Sequence, residues 1–160
     1  MTKLFNKVVV ALCGVVMSIT AMAGGNHDHD FPVGAITQEQ VLDDKKFNRS
    51  YQAFELTDSD LEKIQTWGKN VTVDVYFGMW CHDSQREVPR LLKILESNGQ
   101  VELNMVALDI KKSDAEGLAK QNNVKYTPTI IVSMNGAEVG RIIEYPETSL
   151  VADIHKMLAR

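Results

Sequence analysis

Cysteine is nearly absent from this chain: among 160 residues only Cys13 and Cys81 carry a thiol. A disulfide framework is therefore excluded, and the fold must rest on a hydrophobic core. An excess of basic charge is missing as well. The formal net charge of −4 and a pI near 5.5 leave no broad cationic surface, so nucleic acid and anionic membranes are not expected partners. Internal repeats are missing too. What is present is an ordinary apolar fraction of 44%, enough to build the core of one domain and too much for a disordered chain.

Long apolar runs are absent apart from residues 8–21, which follow Lys3 and Lys7 and lead into Ala21-Met22-Ala23. Basic residues, a short apolar stretch and small residues before a cut are the signature of a secretory signal peptide spanning residues 1–23. The stretch is short for a membrane span, and an uncleaved anchor is the less favoured alternative. Leu12 is too bulky before Cys13 for a lipoprotein site, so Cys13 is counted with the discarded segment. Cleavage after Ala23 leaves a periplasmic or secreted protein with no stable membrane anchor and one thiol, Cys81. Such a thiol is either buried and inert or free to pair with another molecule.

Residues 24–56 read as a flexible leader followed by an N-terminal extension. Gly24 to Asp30 lack apolar periodicity, and His27 and His29 sit there without convergent ligands, so no metal site is expected. Thr37-Gln38-Glu39-Gln40 carries a reciprocal helix cap, with Val41, Leu42 and Phe47 able to dock on a core.

Residues 57–160 form the main domain. Thr57 caps a helix, and residues 71–77, rich in β-branched and aromatic side chains, form a central strand. A helix begins near Cys81, buries Val88, Leu91, Leu92 and Leu95 on one face, and ends at Asn98-Gly99. Residues 101–108 give a second strand, parallel to the first because a helix separates them. Ser113 and Glu116 predict a capped helix from Ser113 to about Asn122, Asn135-Gly136 predicts a hairpin, and a last helix carries Leu150, Val151, Ile154, Met157 and Leu158.

Phe77-Gly78-Met79-Trp80-Cys81-His82-Asp83-Ser84, with Pro89 eight positions after Cys81, resembles the active-site segment of the thioredoxin family. Val124-Lys125-Tyr126-Thr127-Pro128-Thr129 resembles that family's cis-proline segment, and Asp109 its acid after the second parallel strand. The longer string through Arg86-Glu87-Val88-Pro89-Arg90 is similar to a bacterial exported monothiol subgroup. The resemblance implies a thioredoxin fold, an α/β architecture with a mixed sheet of about four to five strands flanked by helices. It also implies roles: Cys81 as nucleophile at a helix N-terminus, where backbone N–H groups and the helix dipole favour the thiolate, and Thr127 and Pro128 as a ledge for an extended partner. Trp80 shields the sulfur or simply packs. His82 adds positive charge when protonated, whereas Asp83 opposes it.

Two departures matter. The family's second cysteine is Ser84 here, and a hydroxyl can hydrogen-bond a thiolate but cannot displace a mixed disulfide. The family's buried acid falls on Val75, and Asp74, one residue away on a strand, belongs to the opposite face, where the proton-shuttle role does not carry over and it bonds a neighbour or faces the other helix layer. Arg86 and Glu87 read as a solvated local pair, and Tyr145-Pro146 as a strand terminator or a groove border.

The residues support monothiol exchange through Cys81 and Ser84, with Trp80, His82, Thr127 and Pro128 meeting the substrate. Partners would be protein or glutathione-type thiols and disulfides, with no cofactor. The alternative is a non-catalytic binding or chaperone-like module on the same fold. Copper or zinc bound by Cys81 and the leader histidines is the weakest reading.

Overall fold

The computed structural model describes residues 31–159. The expected signal peptide, Cys13, His27 and His29 lie outside the described residues. In chain order the elements are β1 (Gly34–Ala35), α1 (Gln38–Leu42), α2 (Lys45–Ala53), α3 (Asp58–Ile64), β2 (Val71–Phe77), α4 (His82–Glu96), β3 (Glu102–Ala107), α5 (Leu118–Gln121), β4 (Thr129–Met134), β5 (Ala137–Ile143) and α6 (Leu150–Leu158). They build one five-stranded mixed sheet of order β1-β3-β2-β4-β5 flanked by helices. This is the α/β architecture expected from the sequence.

β2 is the central strand because its side chains are apolar where both faces must be covered. Val71, Val73, Val75 and Phe77 point into the larger core, which Phe47, Ile64, Leu91, Leu92, Ile94 and Ile154 fill from the helices and Trp67 from the segment after α3. Tyr76 points the other way, into a smaller cluster with Val106, Leu108, Ala119 and Ile131. Asp74 shares that second face, and Asn104 Nδ2 donates to its Oδ1 at 2.9 Å, while Val75 is fully buried. The period-two reading of these neighbours holds.

β2 and β3 run parallel, with Thr72 opposite Glu102 and Phe77 opposite Ala107, so both strands end side by side where α4 begins. β4 lies antiparallel on the other side of β2, with Tyr76 opposite Thr129. The C-terminal end of β2 and the N-terminal end of β4 therefore share one edge of the sheet. That edge is where the sequence motifs converge.

Three local features differ from the sequence reading. The helix predicted from Ser113 starts only at Leu118. Asp109 Oδ1 accepts from the N–H groups of Lys111 and Ser113, and Lys112 turns to a positive φ of 61°, which diverts the chain into a turn. Asp114 then accepts from the N–H groups of Leu118 and Ala119 and caps the helix in place of Ser113. Helix α4 stops at Glu96, before Asn98-Gly99. Asn98 is buried, and its amide donates to the carbonyls of Ile64 and Trp67 at 2.6 and 3.0 Å, tying the end of α3 to the end of α4. The N-terminal extension supplies an unforeseen strand, β1, which pairs antiparallel with β3 through Gly34 and Ala35. Two residues are too few to show alternation.

The caps at Thr37 and Thr57 form as expected, each with its reciprocal partner, Gln40 and Asp60. The hairpin turns at Asn135-Gly136, with both residues at positive φ, and Ser149 caps α6. Among the described residues no helix is long and apolar enough to cross a membrane.

Candidate functional site

The site begins where β2 leaves the core. Phe77 is the last strand residue, and Gly78-Met79-Trp80 makes a tight turn closed by the Cys81 N–H donating to the Gly78 carbonyl at 3.0 Å. Cys81 is the N-cap of α4. Its carbonyl takes the first helical hydrogen bond, from the Gln85 N–H at 3.0 Å, while its side chain makes no capping bond. The sulfur bonds instead to a group outside the helix.

It turns toward Thr127. Sγ of Cys81 donates to the Thr127 carbonyl at 3.1 Å, and the thiol is half-buried. Thr127 belongs to the segment just before β4, whose Thr127–Pro128 peptide is cis. This segment is held from both sides: the Thr129 hydroxyl donates to the Tyr126 carbonyl at 2.7 Å, and the Glu144 N–H donates to the Pro128 carbonyl at 2.7 Å. Thr127 and Pro128 are buried, whereas Tyr126 beside them is 51% exposed.

Trp80 is half-buried, and its indole N–H donates to the Leu108 carbonyl at 3.1 Å, just past the end of β3. The ring lies so close over Gly78 that a Cβ there would sit 2.5 Å from Trp80 Cε2. Glycine precedes this motif because nothing larger fits. Gln85, which drew no attention in the sequence, is buried, and its amide donates to the Met79 carbonyl at 2.9 Å. It fixes the turn from below, and a polar residue on the buried stripe of α4 was the signal for it.

Ser84 sits elsewhere than expected. It is fully buried, and its Oγ accepts the Gly78 N–H at 3.3 Å rather than bonding to the sulfur. Its role in this geometry is to hold the turn. His82 is exposed at the first position of α4. Arg86 and Glu87 form the expected ion pair, at 2.5 Å, but the solvated reading fails for Glu87. Only 2% of Glu87 is exposed, and Arg90 reaches the same oxygen at 3.3 Å. The hydrogen bond to Glu87 raises the Arg86 guanidinium above its ordinary value against the opposing effect of burial, with Asp83 adding to the rise. Among the described residues no group of three or more His, Cys, Asp or Glu could hold a metal ion.

A cysteine-bearing helix head, a proline-held carbonyl beside its sulfur and a parallel βαβ unit thus occur together. The thioredoxin family model matches residues 33–154, most of the chain. The chain belongs to the thioredoxin family. A thioredoxin of Echinococcus granulosus is 27% identical over 93 residues, 58% of this chain and 83% of that protein. A Pseudomonas aeruginosa protein solved as one of unknown function shares the fold with a TM-score of 0.60 at 17% identity, covering 78% of this chain and 86% of its own. Fasciola hepatica thioredoxin is 26% identical, with 62% of this chain and 92% of that chain covered and a TM-score of 0.45. Membership of the thioredoxin family supports a thiol–disulfide redox role in general terms, since thioredoxin-like proteins act on protein thiols and disulfides. Within that family this chain departs at Ser84, where the second motif cysteine would stand.

Proposed function

We propose that this protein carries out monothiol thiol–disulfide exchange through Cys81 after export and removal of residues 1–23. The observation that carries the reading is the placement of one half-buried sulfur at the head of α4, 3.1 Å from the Thr127 carbonyl. The Cys81 thiolate attacks one sulfur of a substrate disulfide, a Cys81–substrate bond forms, and the second sulfur leaves as a thiolate that takes up a proton. An external thiol, of protein or glutathione type, then attacks the mixed disulfide and restores Cys81. The α4 N-terminus, uncapped by the Cys81 side chain, offers backbone N–H groups and dipole to the sulfur anion. Ser84 stabilises the turn and supplies no leaving step, so release waits on the external thiol.

The test is incubation with glutathione disulfide followed by peptide mapping. A glutathione adduct on Cys81 that a small thiol removes supports the reading. An unmodified Cys81 contradicts it. The expected export is checked by the mature N-terminus, which should be Gly24.

A second reading, a binding module without turnover, is favoured by the exposed Tyr126 beside Thr127. The Cys81→Ser variant separates the two, since it retains partner binding and loses exchange.

A further inference from the structure

A groove of about 420 Å³ opens between α2 and α4, lined by Lys46, Arg49, Ser50, His82, Gln85 and Arg86. It begins at the residue that follows the nucleophile. Three of its six residues are Lys or Arg and one is His, on a chain whose net charge is −4. Arg86 is balanced by Asp83 at 2.9 Å and Glu87 at 2.5 Å. Lys46 and Arg49 are exposed, and among the described residues neither forms an ion pair. Asp44, the N-cap of α2, turns its carboxylate to the backbone N–H groups of Lys46 and Phe47.

The placement works against the helix itself. The first turn of α2 contains Lys45 and Lys46 and no acid, although a helix N-terminus favours negative side chains. Cations held there, facing the N-terminus of the 15-residue α4, add to one positive field rather than cancelling it. Such a field attracts carboxylates. The sulfur, however, points to the Thr127 carbonyl ahead of β4, and neither Cys81 nor Thr127 lines the groove. An occupant that reaches both must continue for several residues past its own cysteine, which a polypeptide does.

We propose that this groove receives an acidic segment of the polypeptide substrate, flanking the cysteine that Cys81 engages; the proposal rests on the exchange reading above. The groove then selects among disulfide-bearing chains by charge, mostly through the association rate.

The experiment uses three peptides of equal length, rich in Glu, Gln or Lys around one cysteine activated as its thiopyridyl disulfide. Cys81 thiolate attacks the peptide sulfur, the bond to thiopyridine breaks, and thiopyridone departs with the proton and is read by its absorbance. At low ionic strength the Glu-rich peptide should react about tenfold faster than the Gln-rich one. That advantage should fall away at high salt and in the K46Q/R49Q double variant, while the Gln-rich rate stays unchanged. Equal rates for all three peptides would overturn the groove assignment and leave the exchange reading standing. Absence of any Cys81 adduct would overturn the exchange reading. In that case binding of the same acidic sequence without cysteine, followed by fluorescence anisotropy, still decides the groove: salt-sensitive binding lost in the double variant supports it, and no binding rejects it.

Discussion

The sulfur of Cys81 and the carbonyl oxygen of Thr127 are 46 positions apart in the chain and 3.1 Å apart in space. β2 delivers the first by ending where α4 starts, and the segment before β4 delivers the second, because β4 pairs antiparallel with β2. The contact needs only a small donor on residue 81. Cys81→Ser should therefore keep thermal stability within about 0.5 kcal/mol of the parent, while exchange falls to the uncatalysed background. Calorimetry paired with a disulfide-exchange assay checks both halves.

Gly78→Ala tests the close approach of Trp80. A methyl group placed 2.5 Å from the indole must push the ring off its bond to the Leu108 carbonyl. The expected cost is about 1–3 kcal/mol, with a shifted tryptophan emission and slower exchange. Denaturant unfolding and steady-state fluorescence report it. An unchanged emission spectrum would mean that the ring is not seated over Gly78.

Ser84 distinguishes a turn-holding role from a role at the sulfur. Ser84→Ala strips the buried Gly78 N–H of its acceptor and should cost about 1–3 kcal/mol, with little change in the lifetime of the Cys81 mixed disulfide. Ser84→Cys should shorten that lifetime by supplying a resolving thiol one helical turn away. Time courses of adduct loss, read by mass spectrometry, separate the two.

Asp114 links stability to acid. Burial alone would push its carboxyl up, but the backbone N–H groups of Ala119, Leu118, Gly117 and Glu116 outweigh burial and hold it below the usual range. A depressed folded value means a stabilising contribution that is full above the ordinary carboxylate range and lost as pH falls through the folded value. Asp114→Ala should cost about 1 kcal/mol at neutral pH, as a lost cap does, and the gap from the parent should close in strong acid. Thermal melts across pH measure the gap.

The sheet core and the site motif were legible because each rests on short-range chemistry. The β-branched and aromatic run of residues 71–77, helical spacing after Cys81 and the Asn135-Gly136 pair each dictate local geometry directly. The sequence was silent where one long-range contact decides. Asn98 is read from its string as a helix stop, yet its amide joins two helix ends. Ser113 and Glu116 have cap chemistry, but Asp109 captures the Ser113 N–H first, and the helix waits for Asp114. Ser84 stands one helical turn from Cys81, and only the fold shows its hydroxyl serving Gly78. Glu87 looks like any surface acid beside an arginine until the packing of α4 buries it.

The rate at which native Cys81 takes up an activated disulfide, compared with that of the unfolded chain and mapped by peptide mass, tests the central claim most directly. A sulfur presented at the head of α4 reacts at least as fast in the native protein as in denaturant, and its adduct persists until an external thiol is added. A native Cys81 that reacts only once the chain is unfolded would contradict the account.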